Sequence, residues 1–84
     1  MKPTLTAYGV VKAAVFGSWA RGDAGERHDV DVLVEFEDGR TLLDLVGLRQ
    51  DLSEVLGMEA DVVTYRSLHP LLRAQILAEQ VPVL

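Results

Sequence analysis

Two aspartates at the head of an apolar run are the feature of this sequence that most restricts its fold. Asp29 and Asp31 begin the run DVDVLVEF, which ends at Phe36. Successive side chains of a strand point to opposite faces, so the three valines share one face and the two aspartates share the other. Strands are poor in aspartate, and like charges on one face repel each other. The run therefore predicts a strand with one buried face and a second face on which the carboxylates meet a compensating group.

The sequence around this run predicts a small α+β fold. The chain alternates short β-branched apolar runs with segments of helical spacing. The predicted elements are a strand at Val10 to Phe16, a short helical turn beginning at Ser18, the strand Asp29 to Phe36, a helix from the N-cap Thr41 to Gly57, a strand at Glu59 to Tyr65, a helix capped by Ser67 with Pro70 in its first turn, and an extended tail VPVL at a sheet edge. This order predicts a small mixed β-sheet with helices packed on one face.

Both long helices should bury one apolar side. Residues at helical spacing lie on the same face, so we expect them to point into the core. The expected inward residues are Leu42, Leu45, Leu48, Leu52, Val55 and Leu56 in the first long helix, and Leu68, Leu71, Leu72 and Ile76 in the last.

Composition limits the classes of function. The 84 residues are expected to form a single domain, and 49% hydrophobic with 25% charged residues is typical of a folded globular chain. Cysteine is absent, which excludes thiol catalysis and thiolate metal sites and favours the cytoplasm. We see no apolar run long enough to cross a membrane. The net charge is -5 and basic residues are scattered, which argues against binding of long nucleic acids but leaves a metal-mediated anionic ligand open.

Three carboxylates are the candidate metal ligands. Two strand steps separate Asp29 from Asp31, about 7 Å between their Cα atoms, so both can approach one cation. Asp61 lies in the third predicted strand and can reach the same place if the strands are neighbours. Carboxylates gathered at a sheet are costly without compensation. Mg²⁺ supplies the compensating positive charge, because this ion prefers oxygen ligands and commonly uses one or two carboxylates together with substrate phosphates.

The segment before these acids offers phosphate-binding groups. Gly17 and Ser18 stand at a strand-to-helix turn, where backbone N–H groups and a hydroxyl can meet a phosphate. Glycine lets the ligand approach the main chain closely. Arg21, one helical turn later, can pair with a phosphate oxygen.

Gly-Ser, ten residues and then Asp-x-Asp form a pattern that resembles the polymerase-beta-like nucleotidyltransferase superfamily. Within it the sequence is most similar to the minimal nucleotidyltransferases of prokaryotes, called MNT, in GSWARGDA, LVEFEDGRTLLDLVGL and DVVTYRSLHP. The resemblance covers almost the whole chain after residue 12. It departs at His28, where family members usually carry serine, and at the short segment PTLTAYG, a remnant of a longer helix.

The resemblance implies an activity and a partner. It implies that Asp29 and Asp31 hold two Mg²⁺ ions, that Asp61 completes the metal site and helps to deprotonate the acceptor, and that Gly17 and Ser18 bind the triphosphate of ATP. The implied reaction transfers AMP to a hydroxyl group. The implied acceptor is a tyrosine of a HEPN-domain toxin, which would make the chain an antitoxin in a hetero-oligomer with its partner.

Other interpretations of the same residues fit less well or remain open. An EF-hand loop that began at Asp29 would need glycine at Val34 and glutamate at Arg40. No G-x-S-x-G elbow surrounds Ser18, which argues against a hydrolase triad. A non-catalytic module of the same fold, which neutralises a partner by contact alone, is the alternative that the sequence leaves open. His28 and the short N-terminal segment favour it, whereas the retention of three acids favours an enzyme.

Overall fold

The computed structural model describes residues 1–17 and 29–84, with Asp29 described by its backbone alone. The predicted helical turn beginning at Ser18 lies outside the described residues. The described elements, in chain order, are α1 (Lys2–Ala7), β1 (Val10–Phe16), β2 (Asp29–Phe36), α2 (Leu42–Leu56), β3 (Glu59–Thr64), a 3₁₀ turn (Tyr65–Ser67), α3 (Pro70–Glu79) and β4 (Val81–Pro82).

The four strands form one mixed sheet in the order β3-β2-β1-β4. β1 runs antiparallel to both β2 and β4, whereas β2 and β3 are parallel. The predicted mixed sheet is confirmed, and the tail forms the predicted edge strand. α2 makes the crossover between the two parallel strands, which sets β3 beside the strand that carries the aspartate pair.

Helices α1 and α2 cover one face of the sheet. Leu5 of α1 and Leu48 and Leu52 of α2 are fully buried in the same core. From the sheet this core takes the residues of one face: Val10, Ala13, Val30, Val32, Val34 and Ala60. The predicted alternation along β2 is therefore confirmed for its three valines. The residues that alternate with these buried ones, Asp31 and Asp61 among them, therefore lie on the opposite face of the sheet.

Helix α2 begins and ends at the residues that the sequence predicts. The Thr41 hydroxyl accepts a hydrogen bond from Leu43 N at 3.3 Å, and Asp44 Oδ2 accepts one from Thr41 N at 2.8 Å. These two bonds form a capping box, which satisfies backbone donors that the first turn of a helix leaves unpaired. Gly57 closes the helix in the left-handed conformation, with φ of 68°.

The predicted buried side of α2 is too wide. Leu42 and Val55 were expected to point inward, but they are 72% and 56% exposed. Full burial is confined to Leu48 and Leu52, one helical turn apart in the middle of the helix. The physical reason is that a helix crossing a small sheet contacts it over its central turns, while its outer turns remain in solvent.

The last helix also differs from the prediction in its start and its buried residues. α3 begins at Pro70, and its N-cap is His69, whose Nδ1 accepts a hydrogen bond from Leu71 N at 3.2 Å. Proline disfavours the helical conformation in the residue before it, so the helix cannot extend back to Ser67. Leu71 and Leu72 are 85% and 52% exposed, so the expectation that both face inward is wrong. Leu68 and Ile76 are partly buried.

The helices that the structure describes are all short. Within residues 1–17 and 29–84, none combines the length and apolar character that a bilayer crossing needs. The longest of them, α2, has 15 residues.

Candidate active site

The register of the sheet sets two of the three predicted acids side by side. Asp31 of β2 pairs with Asp61 of β3 in the parallel ladder. Neighbouring strands lie about 4.8 Å apart, and paired residues of a ladder point to the same face. Their neighbours Val30, Val32 and Ala60 are buried on the helix-covered face. Asp31 and Asp61 therefore share the opposite face, which is the arrangement that a shared cation requires.

Asp29, the third predicted acid, is placed by its backbone. It is the first residue of β2 and pairs with Glu59 at the start of β3. The beginnings of two parallel strands thus bring four acidic residues to one end of the sheet.

The second face is apolar at its centre and charged at its far end. Ala14 and Leu33 are register partners in β1 and β2 and are 1% and 0% exposed. Neither belongs to the core under α1 and α2. Lys12 and Glu35, the next register pair on this face, are exposed, and Asp61 at the opposite end is 52% exposed.

Gly17 makes a close approach to Asp31. It follows β1 directly, and its φ of 71° lies in the left-handed region that favours glycine. A β-carbon at this position would stand 2.7 Å from Asp31 Oδ2. The absence of a side chain therefore lets the Asp31 carboxylate lie against the main chain between the end of β1 and the start of β2.

Arg49 is a residue of this site that no sequence pattern predicts. Its Nη2 lies 3.2 Å from Glu59 Oε1 and 3.6 Å from Asp61 Oδ1, so one guanidinium group contacts two carboxylates of β3. Arg49 is in α2, ten and twelve residues before these partners. Local sequence patterns carry no signal for such a contact, because the crossover between β2 and β3 creates it.

The remaining predicted phosphate-binding residues lie outside the described part of the chain. Ser18 and Arg21 fall in residues 18–28, and the side chain of Asp29 is not described. Within the described side chains, no three histidine, aspartate or glutamate residues are grouped closely enough to hold a metal ion. The described part of the site is thus an acid pair, Asp31 and Asp61, with Gly17 in close approach to Asp31.

The described residues fit a hard divalent cation. Two carboxylates that share a face supply oxygen ligands, and Gly17 lets one of them lie against the main chain with no side chain in between. In contrast, a cleft of about 360 Å³ at the far end of β2 is lined by Asp38, Arg40, Tyr65 and Arg66 among others, and contains none of the predicted ligands. The acid pair is the better candidate for phosphate chemistry.

Comparison with known proteins finds a matching family model and a named relative. The sequence model of the family described as "nucleotidyltransferase domain" matches residues 4–83. A Methanocaldococcus jannaschii protein named as a protein adenylyltransferase is 55% identical over 82 residues, covering 98% of this chain and 88% of the relative.

Solved structures give the same fold. A minimal nucleotidyltransferase has a TM-score of 0.85 and 46% identity, and the match covers 98% of this chain and 84% of that one. A second structure, a tri-AMPylated HEPN toxin of Shewanella oneidensis in complex with an MNT antitoxin, matches with a TM-score of 0.73 and 21% identity, covering 99% of this chain and 65% of that one. At that identity the second match concerns the fold alone. The predicted α+β fold is confirmed.

Proposed function

Since the chain belongs to the nucleotidyltransferase domain family, we propose that it transfers AMP from ATP to a hydroxyl group of a partner protein. The observation that carries this proposal is the in-register pair Asp31 and Asp61, with Gly17 in close approach to Asp31. The name of the 55% identical relative supports a protein as the acceptor.

In this proposal Asp29, Asp31 and Asp61 hold two Mg²⁺ ions. Bound there, the ions would neutralise the charge that develops on the phosphoryl group and on the leaving pyrophosphate. Support comes from the shared face of Asp31 and Asp61 and from the position of Asp29 at the first residue of the same strand.

The chain's own groups then have separate tasks. The acceptor oxygen attacks the α-phosphorus of ATP, the bond from that phosphorus to the bridging oxygen breaks, and pyrophosphate leaves. Asp61 accepts the hydroxyl proton, a role that suits an acid 52% exposed at the outer strand, where an acceptor can approach. Gly17 lets the Asp31 carboxylate lie against the main chain, and Ser18 and Arg21 bind the phosphates.

The proposed partner is a HEPN-domain toxin, with the present chain as its antitoxin. The MNT antitoxin that shares this fold is in complex with a HEPN toxin that carries AMP groups. By analogy, a tyrosine of the toxin is the proposed acceptor, and the two proteins form a hetero-oligomer. Both ATP and Mg²⁺ are abundant in the cytoplasm, so we propose that compartment.

The test is to incubate the protein with the product of its neighbouring gene, ATP and Mg²⁺, and to weigh that product by mass spectrometry. The expected result is a gain of one or more AMP units that Asp31→Asn abolishes and EDTA prevents. A partner of unchanged mass, in a complex that binds nucleotide, would contradict AMP transfer.

A cell-based assay separates this activity from inhibition by contact alone. Asp31→Asn should no longer protect cells that express the toxin, although the variant still forms the complex. If the variant protects as well as the wild type, the non-catalytic module is the correct interpretation.

A further inference from the structure

Arg49 contacts the one predicted metal ligand whose side-chain partners are described in full. We propose that Arg49 is a positioning residue that holds the Asp61 carboxylate in the metal-free protein and thereby weakens metal binding. This inference rests on the proposed function, because it assigns Arg49 a role toward the same metal site.

The geometry makes Arg49 a competitor for Asp61. The guanidinium lies 3.6 Å from Asp61 Oδ1 and donates a hydrogen bond to Glu59 Oε1 at 3.2 Å. Both acids belong to β3, an edge strand of the sheet, against which α2 packs. A metal ion shared by Asp31 and Asp61 would lie next to this positive charge.

The Arg49 guanidinium and a bound metal ion repel each other. In the metal-free protein Arg49 offsets the mutual repulsion of Glu59, Asp61 and their acidic register partners. Once a divalent ion occupies the site, the same guanidinium repels it. Arg49 therefore stabilises the metal-free form more than the metal-bound form, and by linkage this difference lowers metal affinity.

Solvent exposure of the side chains limits the effect of Arg49 on metal affinity. Arg49 and Asp61 are each 52% exposed and Glu59 is 67% exposed, so solvent screens the interaction. Dissolved salt should screen it further, because the Debye length falls from about 20 Å at low salt to a few ångströms near 1 M. A several-fold change in affinity that disappears with salt is the expected result.

Repulsion by Arg49 affects how a metal ion enters the site. A free divalent ion must displace Arg49 without help, whereas an ion that arrives with the triphosphate brings negative charge of its own. Arg49 thus favours entry of metal together with nucleotide over entry of metal alone.

The experiment titrates Mn²⁺ into the full chain without nucleotide and measures free Mn²⁺ by electron paramagnetic resonance. The variant is Arg49→Gln, with Arg49→Lys as the charge-preserving form. Arg66→Gln is the matched control, because it removes the same charge from an exposed residue of the 3₁₀ turn after β3 that has no hydrogen bond or ion pair among the described residues. If Arg49→Gln does not fold, Arg49→Met replaces it.

At about 20 mM salt, Arg49→Gln should lower the Mn²⁺ dissociation constant about three- to tenfold relative to Arg66→Gln, and the gap should close at about 500 mM. Arg49→Lys should bind like the wild type. A fold-supporting role for Arg49 would instead weaken binding and would not depend on salt.

Three results would overturn the inference: equal affinities in Arg49→Gln and Arg66→Gln, weaker binding in Arg49→Gln, or tightening in Arg49→Lys. Each of them leaves AMP transfer as proposed. Failure of both the wild type and Arg49→Gln to bind Mn²⁺ would overturn the inference, whereas the metal-dependent function is tested separately by AMP transfer with and without EDTA. Failure of AMP transfer with the expected Mn²⁺ pattern would contradict the function alone.

Discussion

Gly17 and Asp31 approach each other so closely that a β-carbon on the glycine would stand 2.7 Å from the carboxylate oxygen Oδ2. The contact joins the end of β1 to the strand that carries the acid pair. The backbone conformation of Gly17 therefore influences where the Asp31 carboxylate lies.

Gly17→Ala should reduce AMP transfer at least about tenfold, because the new methyl group displaces the Asp31 carboxylate. It should also lower the free energy of unfolding by roughly 1–2 kcal/mol, because alanine is strained in the left-handed backbone conformation. Steady-state transfer assays and urea unfolding measure the two effects. Gly57→Ala is the control, since it has a similar φ of 68° and nothing within 4 Å of the added carbon. It should lose comparable stability and retain transfer. Equal AMP transfer in the two variants would contradict the role of the close approach between Gly17 and Asp31.

Asp61→Asn should lower the rate of AMP transfer by about 100-fold or more, because asparagine neither accepts the acceptor's proton nor carries the ligand charge. The variant should remain folded, since Asp61 is 52% exposed and lies outside the core. The measurement is single-turnover transfer to the partner, with circular dichroism as the fold check. Asp38→Asn, in the exposed turn after β2, removes the same charge and should keep the wild-type rate.

Leu52→Ala should destabilise the protein by about 2–5 kcal/mol, because it removes a fully buried side chain from the core between α2 and the sheet. Leu43→Ala, at a residue of the same helix that is 82% exposed, should change the free energy of unfolding by no more than about 0.5 kcal/mol. Chemical denaturation of both variants checks the prediction. A large loss at Leu43 would show that this surface is covered in solution.

Thr41→Ala should cost about 1 kcal/mol in unfolding free energy, since it removes the hydroxyl that accepts the Leu43 N–H at the start of α2. Thr41→Ser keeps the acceptor and should retain most of that stability. Thermal unfolding of the two variants distinguishes loss of the cap from a general effect of substitution at this turn.

Asp44 should contribute to stability with a defined pH dependence. The hydrogen bond from the Thr41 backbone N–H, assisted by Arg40, holds the pKa of the Asp44 carboxyl below its usual value. A lowered pKa in the folded state adds stability that is present above the unfolded-state pKa of about 4 and is lost as pH falls through the folded-state pKa. Asp44→Asn should be less stable than the wild type near neutral pH, and the difference should shrink below about pH 4. A difference that stays constant down to pH 2 would contradict this assignment.

The sequence predicts much of this fold because several signals are local. β1 and β2 have the predicted bounds, since an apolar run ending at Gly17 and a strict alternation after Asp29 each define a strand without reference to the rest of the chain. Thr41 and Gly57 mark the helix between β2 and β3 for the same reason.

The errors concern features that depend on tertiary structure. Helical spacing identifies an apolar side but does not determine how much of it a small sheet can cover, so Leu42, Val55, Leu71 and Leu72 were wrongly assigned to the interior. The effect of Pro70 on His69 outweighed the capping potential of Ser67. The contact of Arg49 with Glu59 and Asp61 arises only when the crossover helix returns beside β3.

The position of β3 at the margin of the sheet ties the catalytic site to the stability of the core. Asp61 sits on a strand with a single hydrogen-bonded neighbour, β2, whereas Asp31 sits on a strand with two. Ala60, the residue before Asp61, is fully buried in the core under α1 and α2. Opening of β3 would therefore separate the two carboxylates and unpack the same core. Warming should silence the enzyme and melt its core together.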